Sequence, residues 1–201
     1  MNSLKQALTQ LSLVTSLLLA TLTVAPSVAH SADNELNVRF APLSLLVGWL
    51  NVDLDVRVND QWTLGPTIGL WRANIEDNYF VGDKYQLKRN AVGVRANWSQ
   101  SGSFQTGFYV SPIVQFVRAE VSGVSKSTGN DITASASGIT ITGIAGYQWF
   151  WDTFNLSVGG GLILGAQSSD VSVQDGPSSY KVASSGRGTG VAFDFMLGWT
   201  F

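Results

Sequence analysis

Cysteine is absent from this chain, so neither a disulfide framework nor a thiolate metal site can form. Histidine occurs once, at His30. Charge is scarce: Asp, Glu, Lys and Arg make up 13% of the residues, about half of what soluble domains carry. Twelve basic residues against 14 acidic ones give a net charge of −2, which leaves no basic excess to hold a nucleic-acid backbone. What is plentiful is apolar and small. Hydrophobic residues are 45% of the 201, with 21 Gly, 10 Phe and 7 Trp. Such a chain is too apolar and aromatic to stay disordered, and its length is that of one domain. Little charge combined with no long apolar helix is an unusual mixture that asks for a cause.

The first 29 residues read as a secretory signal. Lys5 is their only charge, an apolar stretch runs from Leu11 to Ala25, and Ser27-Val28-Ala29 supplies a small-x-small cleavage pattern. Cleavage is expected after Ala29, with Ala32 as the alternative. An anchor helix would need about 20 apolar residues, and this stretch is shorter and broken by Ser and Thr. The mature domain would be residues 30–201. Only His30 among its residues is a histidine, and cleavage after Ala32 would remove that too.

Beyond the signal the hydrophobic pattern has period two. Val191, Phe193, Phe195, Leu197, Trp199 and Phe201 share one parity, and Ala192, Asp194, Met196, Gly198 and Thr200 the other. Strict alternation of this kind means a strand with one apolar face. The split recurs upstream, giving eight expected strands: about 36–41, 50–58, 62–70, 89–98, 104–116, 139–149, 154–165 and 191–201. Short turns are expected at 59–61, 99–103 and 151–153, and long polar, mobile loops at about 72–87, 119–137 and 167–189. An even number of strands, with short and long connections on opposite ends, predicts an all-β fold: an eight-stranded antiparallel up-and-down transmembrane barrel. Trp62, Trp98, Trp149, Trp151 and Trp199 fall at the short-turn ends, and Trp49 and Trp71 at the others. Tryptophan favours the two headgroup levels, so these seven are expected to form girdles at the membrane interfaces. The apolar stretch Leu43 to Gly48 does not fit a polar loop. It is expected either to sit low in the membrane or to prolong the first strand.

A soluble lipid-carrying barrel would show the same alternation with its apolar face inward. The opposite parity here carries Gly, Ser, Thr, Arg and Asp, too little charge for a soluble surface. The closing run Phe193, Phe195, Leu197, Trp199, Phe201 resembles the C-terminal signature of Gram-negative outer-membrane proteins that the barrel assembly machinery recognises. The chain after the signal is similar to the small barrels of the OmpA-transmembrane, OmpX and OmpW type. Asn37 to Trp71, through Pro42-Leu43-Ser44-Leu45-Leu46 and Gly48, resembles a family of small barrel proteins without characterised function. These resemblances imply Sec export, residence in the bacterial outer membrane, and contact with its lipids and lipopolysaccharide.

The inward parity holds the polar chemistry: Arg39, Asp53, Asp55, Arg57, Arg89, Arg95 and Asp194. Charges buried in an eight-stranded lumen must pair. They are expected to form a structural ion-pair plug, with Arg95 reaching Asp55 across the lumen. A gated path for ions or small solutes is the sharper alternative. Gly159-Gly160-Gly161 lies mid-strand and precedes no helix, so it is no phosphate loop. It makes room for a large side chain, for which Tyr109 is the candidate. Asp53 and Asp55 lie two apart among arginines, which favours salt bridges over acid–base work. The known outer-membrane barrel enzymes resemble one another in relying on histidine. No enzymatic activity and no cofactor are therefore expected. Glu76, Asp77 and Asp83 read as a solvated loop face, and Asn97-Trp98-Ser99 as a strand end rather than a glycosylation site. The expected function is a structural or surface-interaction role, with any extracellular ligand reached through the loops and left unnamed. A narrow channel or carrier is the alternative.

Overall fold

The structure, a computed structural model, describes residues 35–76, 84–124, 129–167, 170–183 and 186–201. The expected signal 1–29, His30, Asp77 and Asp83 lie outside them. Among the described residues ten strands and one short helix follow in the order β1 (Leu36–Phe40), α1 (Pro42–Leu45), β2 (Trp49–Arg57), β3 (Trp62–Glu76), β4 (Lys84–Ser99), β5 (Gly107–Val124), β6 (Asp131–Trp151), β7 (Phe154–Gln167), β8 (Val171–Asp175), β9 (Ser178–Val182) and β10 (Arg187–Thr200). All belong to one antiparallel sheet. Its order is β5-β4-β3-β2-β1-β10-β7-β6-β8-β9, and β5 also pairs with β6. That last pairing joins the two arms of the sheet into a ring, from which β8 and β9 branch as a hairpin on β6. No helix among the described residues is long and apolar enough to cross a membrane, which says nothing of strands.

The period-two pattern sorts the two faces of the ring. Asn37, Arg39, Asp53, Asp55, Thr67, Arg95 and Asp194 are buried on its inside. Leu64, Ile68, Val92, Val114, Ile141 and Leu164 are exposed on its outside, and Phe193 is 88% exposed. This inverts the arrangement of an apolar-inside lipid carrier. The two strand prolines sit where the ladder lapses: the β2–β3 pairing skips the residues facing Gly65 and Pro66, and β4–β5 skips those facing Ser111 and Pro112. A proline has no N–H to give the ladder.

Three expectations change. The strands outrun their apolar stretches, so most of the expected loop residues are paired. β3 and β4 pair as far as Glu76 with Lys84, β5 and β6 as far as Val124 with Asp131, and 171–182 forms the β8–β9 hairpin. Both faces are polar there, so hydrophobic contrast disappears while the Ile, Thr and Val content still favours extended backbone. Phe104 does not open a strand on the apolar face. It lies in the 100–106 connection with φ 59° and is 3% exposed. Ser103 ties that connection to the neighbouring turn, its N–H donating to Asp60 O (2.6 Å) and its Oγ to Asn59 O (2.9 Å). The 43–48 segment is not a strand. Pro42 starts α1, whose missing N–H costs nothing at a helix start, and Gly48 ends the turn at φ 76°. Ser44 Oγ lies 2.7 Å from both Ala41 O and Trp49 O, its one proton shared between the two carbonyls, and so staples this connection between β1 and β2.

Candidate functional site: a buried charge cluster inside the ring

Five of the seven charges expected inside meet in one cluster: Arg39 of β1, Asp53 and Asp55 of β2, Arg95 of β4 and Asp194 of β10. Arg39 grips Asp55, with Nε 2.7 Å from Oδ2 and Nη2 donating to Oδ1 at 3.0 Å. Arg95 donates through Nη1 to Asp53 Oδ2 (2.8 Å) and through both Nη atoms to the two oxygens of Asp194 (3.2 and 2.8 Å). In the ring order β4 and β10 lie opposite each other, so this one guanidinium bridges the interior from wall to wall. The forked geometry suits arginine, whose planar donors match two carboxylate oxygens at once.

Amides extend the network. Arg95 Nε donates to Asn97 Oδ1 (3.0 Å), and Asn97 Nδ2 donates to Asp55 Oδ1 (2.8 Å) and Thr63 Oγ1 (3.2 Å). Asn37 Nδ2 donates to Asp55 Oδ2 (3.2 Å) and its Oδ1 accepts from Asn155 (2.8 Å). These three asparagines were not among the expected site residues. Asn37 and Asn97 share the parity of Arg39 and Arg95 on their strands, and Asn155 the polar parity of Ser157 on β7, a strand without charge. Two guanidiniums face three carboxylates, and Asp53 Oδ1 is buried without a hydrogen-bond partner.

Tyr109 fills the space expected of it. Its hydroxyl donates to Asp194 Oδ2. A Cβ on Gly159 would stand 2.6 Å from that hydroxyl, and one on Gly146 2.8 Å from the ring. Gly159 is thus set by the approach of the tyrosine, whereas a Cβ on Gly146 would first meet the backbone oxygen of Val158. Beside it Ile113, Ile144 and Ala192, with Ile163 against them, form an apolar layer inside the ring. The interior is therefore not polar throughout.

Arg57 and Arg89 do not join the cluster. The Arg57 guanidinium lies 5.4 Å from the centre of the Phe104 ring at the short-turn end, and Arg89 lies 4.8 Å from Trp49 at the other. Both contacts are cation–π in character. Trp49 shares the inner parity with Asn51 and Asp53, and its Nε1 would touch a Cβ on Gly69 at 3.2 Å. Trp71 pairs with it in register, and its Nε1 donates to Val47 O (2.9 Å). These two indoles face the inner mouth rather than forming an outward girdle. The others do lie outside. Trp62 pairs with Trp98, Trp151 stacks on Phe154 (5.8 Å), and Phe154 meets Trp199 edge-on (5.6 Å). Tyr147 joins Trp149 to Phe108. The residues Phe193, Phe195, Leu197, Trp199 and Phe201 follow the outer parity at the end of the chain. There Phe201 exchanges backbone hydrogen bonds with Leu36.

Chemically the cluster is held by ion pairs and by hydrogen bonds from side-chain amides, with Asp53 Oδ1 left over. Asp53 and Asp55 each touch a guanidinium. Among the described residues no group of three or more His, Cys, Asp or Glu is placed to hold a metal ion. No known protein family, curated protein or solved structure matches the chain.

Proposed function

We propose that this chain is an integral outer-membrane protein of Gram-negative type: an eight-stranded antiparallel up-and-down transmembrane barrel, exported with its signal removed, whose plugged interior serves a structural or surface-interaction role without catalysis. The observation that carries this reading is the inverted distribution of polarity, charges in and large apolar side chains out. Lipid as the outer solvent accounts for it, since a transmembrane strand alternates apolar-out and polar-in. On β3 the exposed apolar positions run from Trp62 to Leu70, a span of the length a tilted strand needs to cross. The outward aromatics at the short-turn end match a headgroup level. By the same rule the short turns face the periplasm and the longer β3–β4, β5–β6 and β8–β9 ends face outward.

The cluster favours display over conduction. Opening the centre of the barrel means separating Arg95 from buried carboxylates, at about 3–5 kcal/mol. That holds an open state below about 1% of molecules. The partners this reading implies are outer-membrane lipids and lipopolysaccharide, with the barrel assembly machinery during biogenesis. The test has three arms. Cell fractionation should find the protein in the outer membrane with heat-modifiable gel mobility; a soluble periplasmic product without a mobility shift overturns the membrane reading. Planar-bilayer recording should show no stable conductance. Discrete openings altered by Asp53→Ala or Arg95→Ala would replace the plug with a channel. Lipid A and phospholipids of expressing cells should be unchanged by mass spectrometry, and new modified species would establish an enzyme.

A further inference from the structure

The register of the sheet shows where the apolar outer face stops. One row across β3, β4, β5 and β6 reads Ile68, Val92, Phe116, Ile139 and is wholly apolar. The next row toward the longer connections reads Leu70, Asn90, Arg118, Ser137. The one after it reads Arg72, Lys88, Glu120, Ser135, and continues through Ser172 of β8 to Lys181 of β9. Within two rows the outside passes from hydrocarbon to charge, and most of that charge is positive. The opposite edge is aromatic, so the two edges differ in kind.

On this boundary lies a groove of about 330 Å³ between β5–β6 and the β8–β9 hairpin. Phe116 forms its apolar side, Arg118 and Lys181 line it, and Ser135 and Ser172 add hydroxyls. Asp170 is its one acidic residue. Lys88 is engaged by Glu120 at 3.8 Å, whereas Arg118 and Lys181 make no ion pair among the described residues. Two uncommitted cations converge from different strands beside an apolar wall.

We propose that this groove binds the phosphomonoester headgroup of an anionic membrane lipid. The inference rests on the reading of the outer face as lipid-facing. The two cations suit a phosphomonoester, which carries close to two negative charges at neutral pH. Arginine supplies forked donors to its oxygens and lysine a point charge. Phe116 and Ile139 lie on the side where acyl chains of the same lipid would run, and a freely dissolved phosphate would have no use for that wall. Basic residues at a membrane surface attract anionic lipid by about a factor of five each.

Lipid selectivity tests this with the full chain refolded into phosphatidylcholine vesicles. The probes are headgroup-matched spin-labelled phosphatidic acid, phosphatidylglycerol and phosphatidylcholine, and the readout is the motionally restricted fraction in electron paramagnetic resonance. The expected order is phosphatidic acid over phosphatidylglycerol over phosphatidylcholine. Arg118→Ser with Lys181→Ser should lower the phosphatidic acid preference about 25-fold, a factor of about five for each cation. Arg72→Ser, a cation outside the groove, should leave most of it. An equal loss in Arg72→Ser, or no loss in the double variant, would overturn the groove as the site. Displacement by inorganic phosphate would reassign it to a soluble anion. A restricted fraction without headgroup preference refutes this inference alone, and no restricted fraction with any lipid refutes the membrane reading beneath it.

Discussion

Arg95→Met tests the plug at its centre. Methionine keeps much of the volume of the arginine stem and removes the charge. Arg95 is 1% exposed and touches Asp53, Asp194 and Asn97, so its loss leaves Asp194 with Tyr109 and Asp53 with only the distant Arg39 at 3.9 Å. Removing one partner of a buried ion pair costs about 3–5 kcal/mol, most of it the stranded charge. Equilibrium unfolding in urea from lipid vesicles, followed by tryptophan fluorescence and gel mobility, reads this directly. With a slope of about 2 kcal/mol per molar the midpoint should fall by about 1.5–2.5 M. Two companion variants fix the cause. Asp194→Asn removes the excess carboxylate, leaving two guanidiniums with two carboxylates, and should cost clearly less than Arg95→Met. Combining Arg95→Met with Asp53→Asn and Asp194→Asn should recover most of the loss, because replacing a whole buried network with neutral groups is often close to neutral. If Arg95→Met shifts the midpoint no more than Arg89→Met, or if the triple variant is worse than the single one, the cluster does not hold the interior together.

The other predictions concern the two faces. Ile141→Arg places a charge in the middle of the exposed apolar rows and should cost about 2–4 kcal/mol in vesicles, whereas Ser135→Arg at the polar boundary should cost near zero; equal costs in the same urea titration would contradict the lipid-facing assignment. Single-tryptophan variants retaining Trp62 or Trp151 should be quenched by lipids brominated on the acyl chains near the headgroup, and one retaining Trp49 should not. Strong quenching of Trp49 would put it outside. Gly159→Ala forces a Cβ to within 2.6 Å of the Tyr109 hydroxyl and should destabilise by about 1–3 kcal/mol. In the Tyr109→Phe background the same substitution should cost less, and strict additivity in the double-mutant cycle would mean the two do not meet.

Much of this was legible in the sequence because period-two alternation assigns a face residue by residue. Asp53, Asp55 and Asp194 could be placed inside before any coordinate, and so could Arg39 and Arg95. What alternation does not carry is visible in the misses. Beyond the apolar rows both faces are wet, so Ile132 to Ser137 and the β8–β9 residues lost the contrast that marks a strand while keeping the backbone pairing that makes one. Depth along the strand alone puts Trp49 and Trp71 at a headgroup level. The headgroup preference of an indole acts only on one that faces lipid, and parity already placed Trp49 beside Asn51 and Asp53 on the other side. The spacing of Phe104 from Phe108 fits a strand, but Gly102 and Ser103 before it serve a turn that folds inward.

The pairing inside the cluster was the least legible part, and the reason is geometric. In register Arg39 stands opposite Asp53, yet its Nε is 2.7 Å from Asp55. Arg95 stands opposite Gly65, in line with Asp55, yet Nη1 reaches Asp53 at 2.8 Å, and Asp55 is met through Asn97. Each arginine takes the aspartate one pleat away from its register partner. Directly opposed Cβ atoms lie about 5 Å apart, too close for an extended arginine, while the diagonal neighbour about 7–8 Å away suits its length. Strand tilt adds to this across the interior, since a hydrogen-bonded row climbs around a closed sheet and stops marking equal depth. The exchange of partners leaves Arg95 aimed past β2 toward β10, where Asp194 and Tyr109 complete the span. A cluster paired strictly by register would have tied β1 to β2 and left the far wall unconnected.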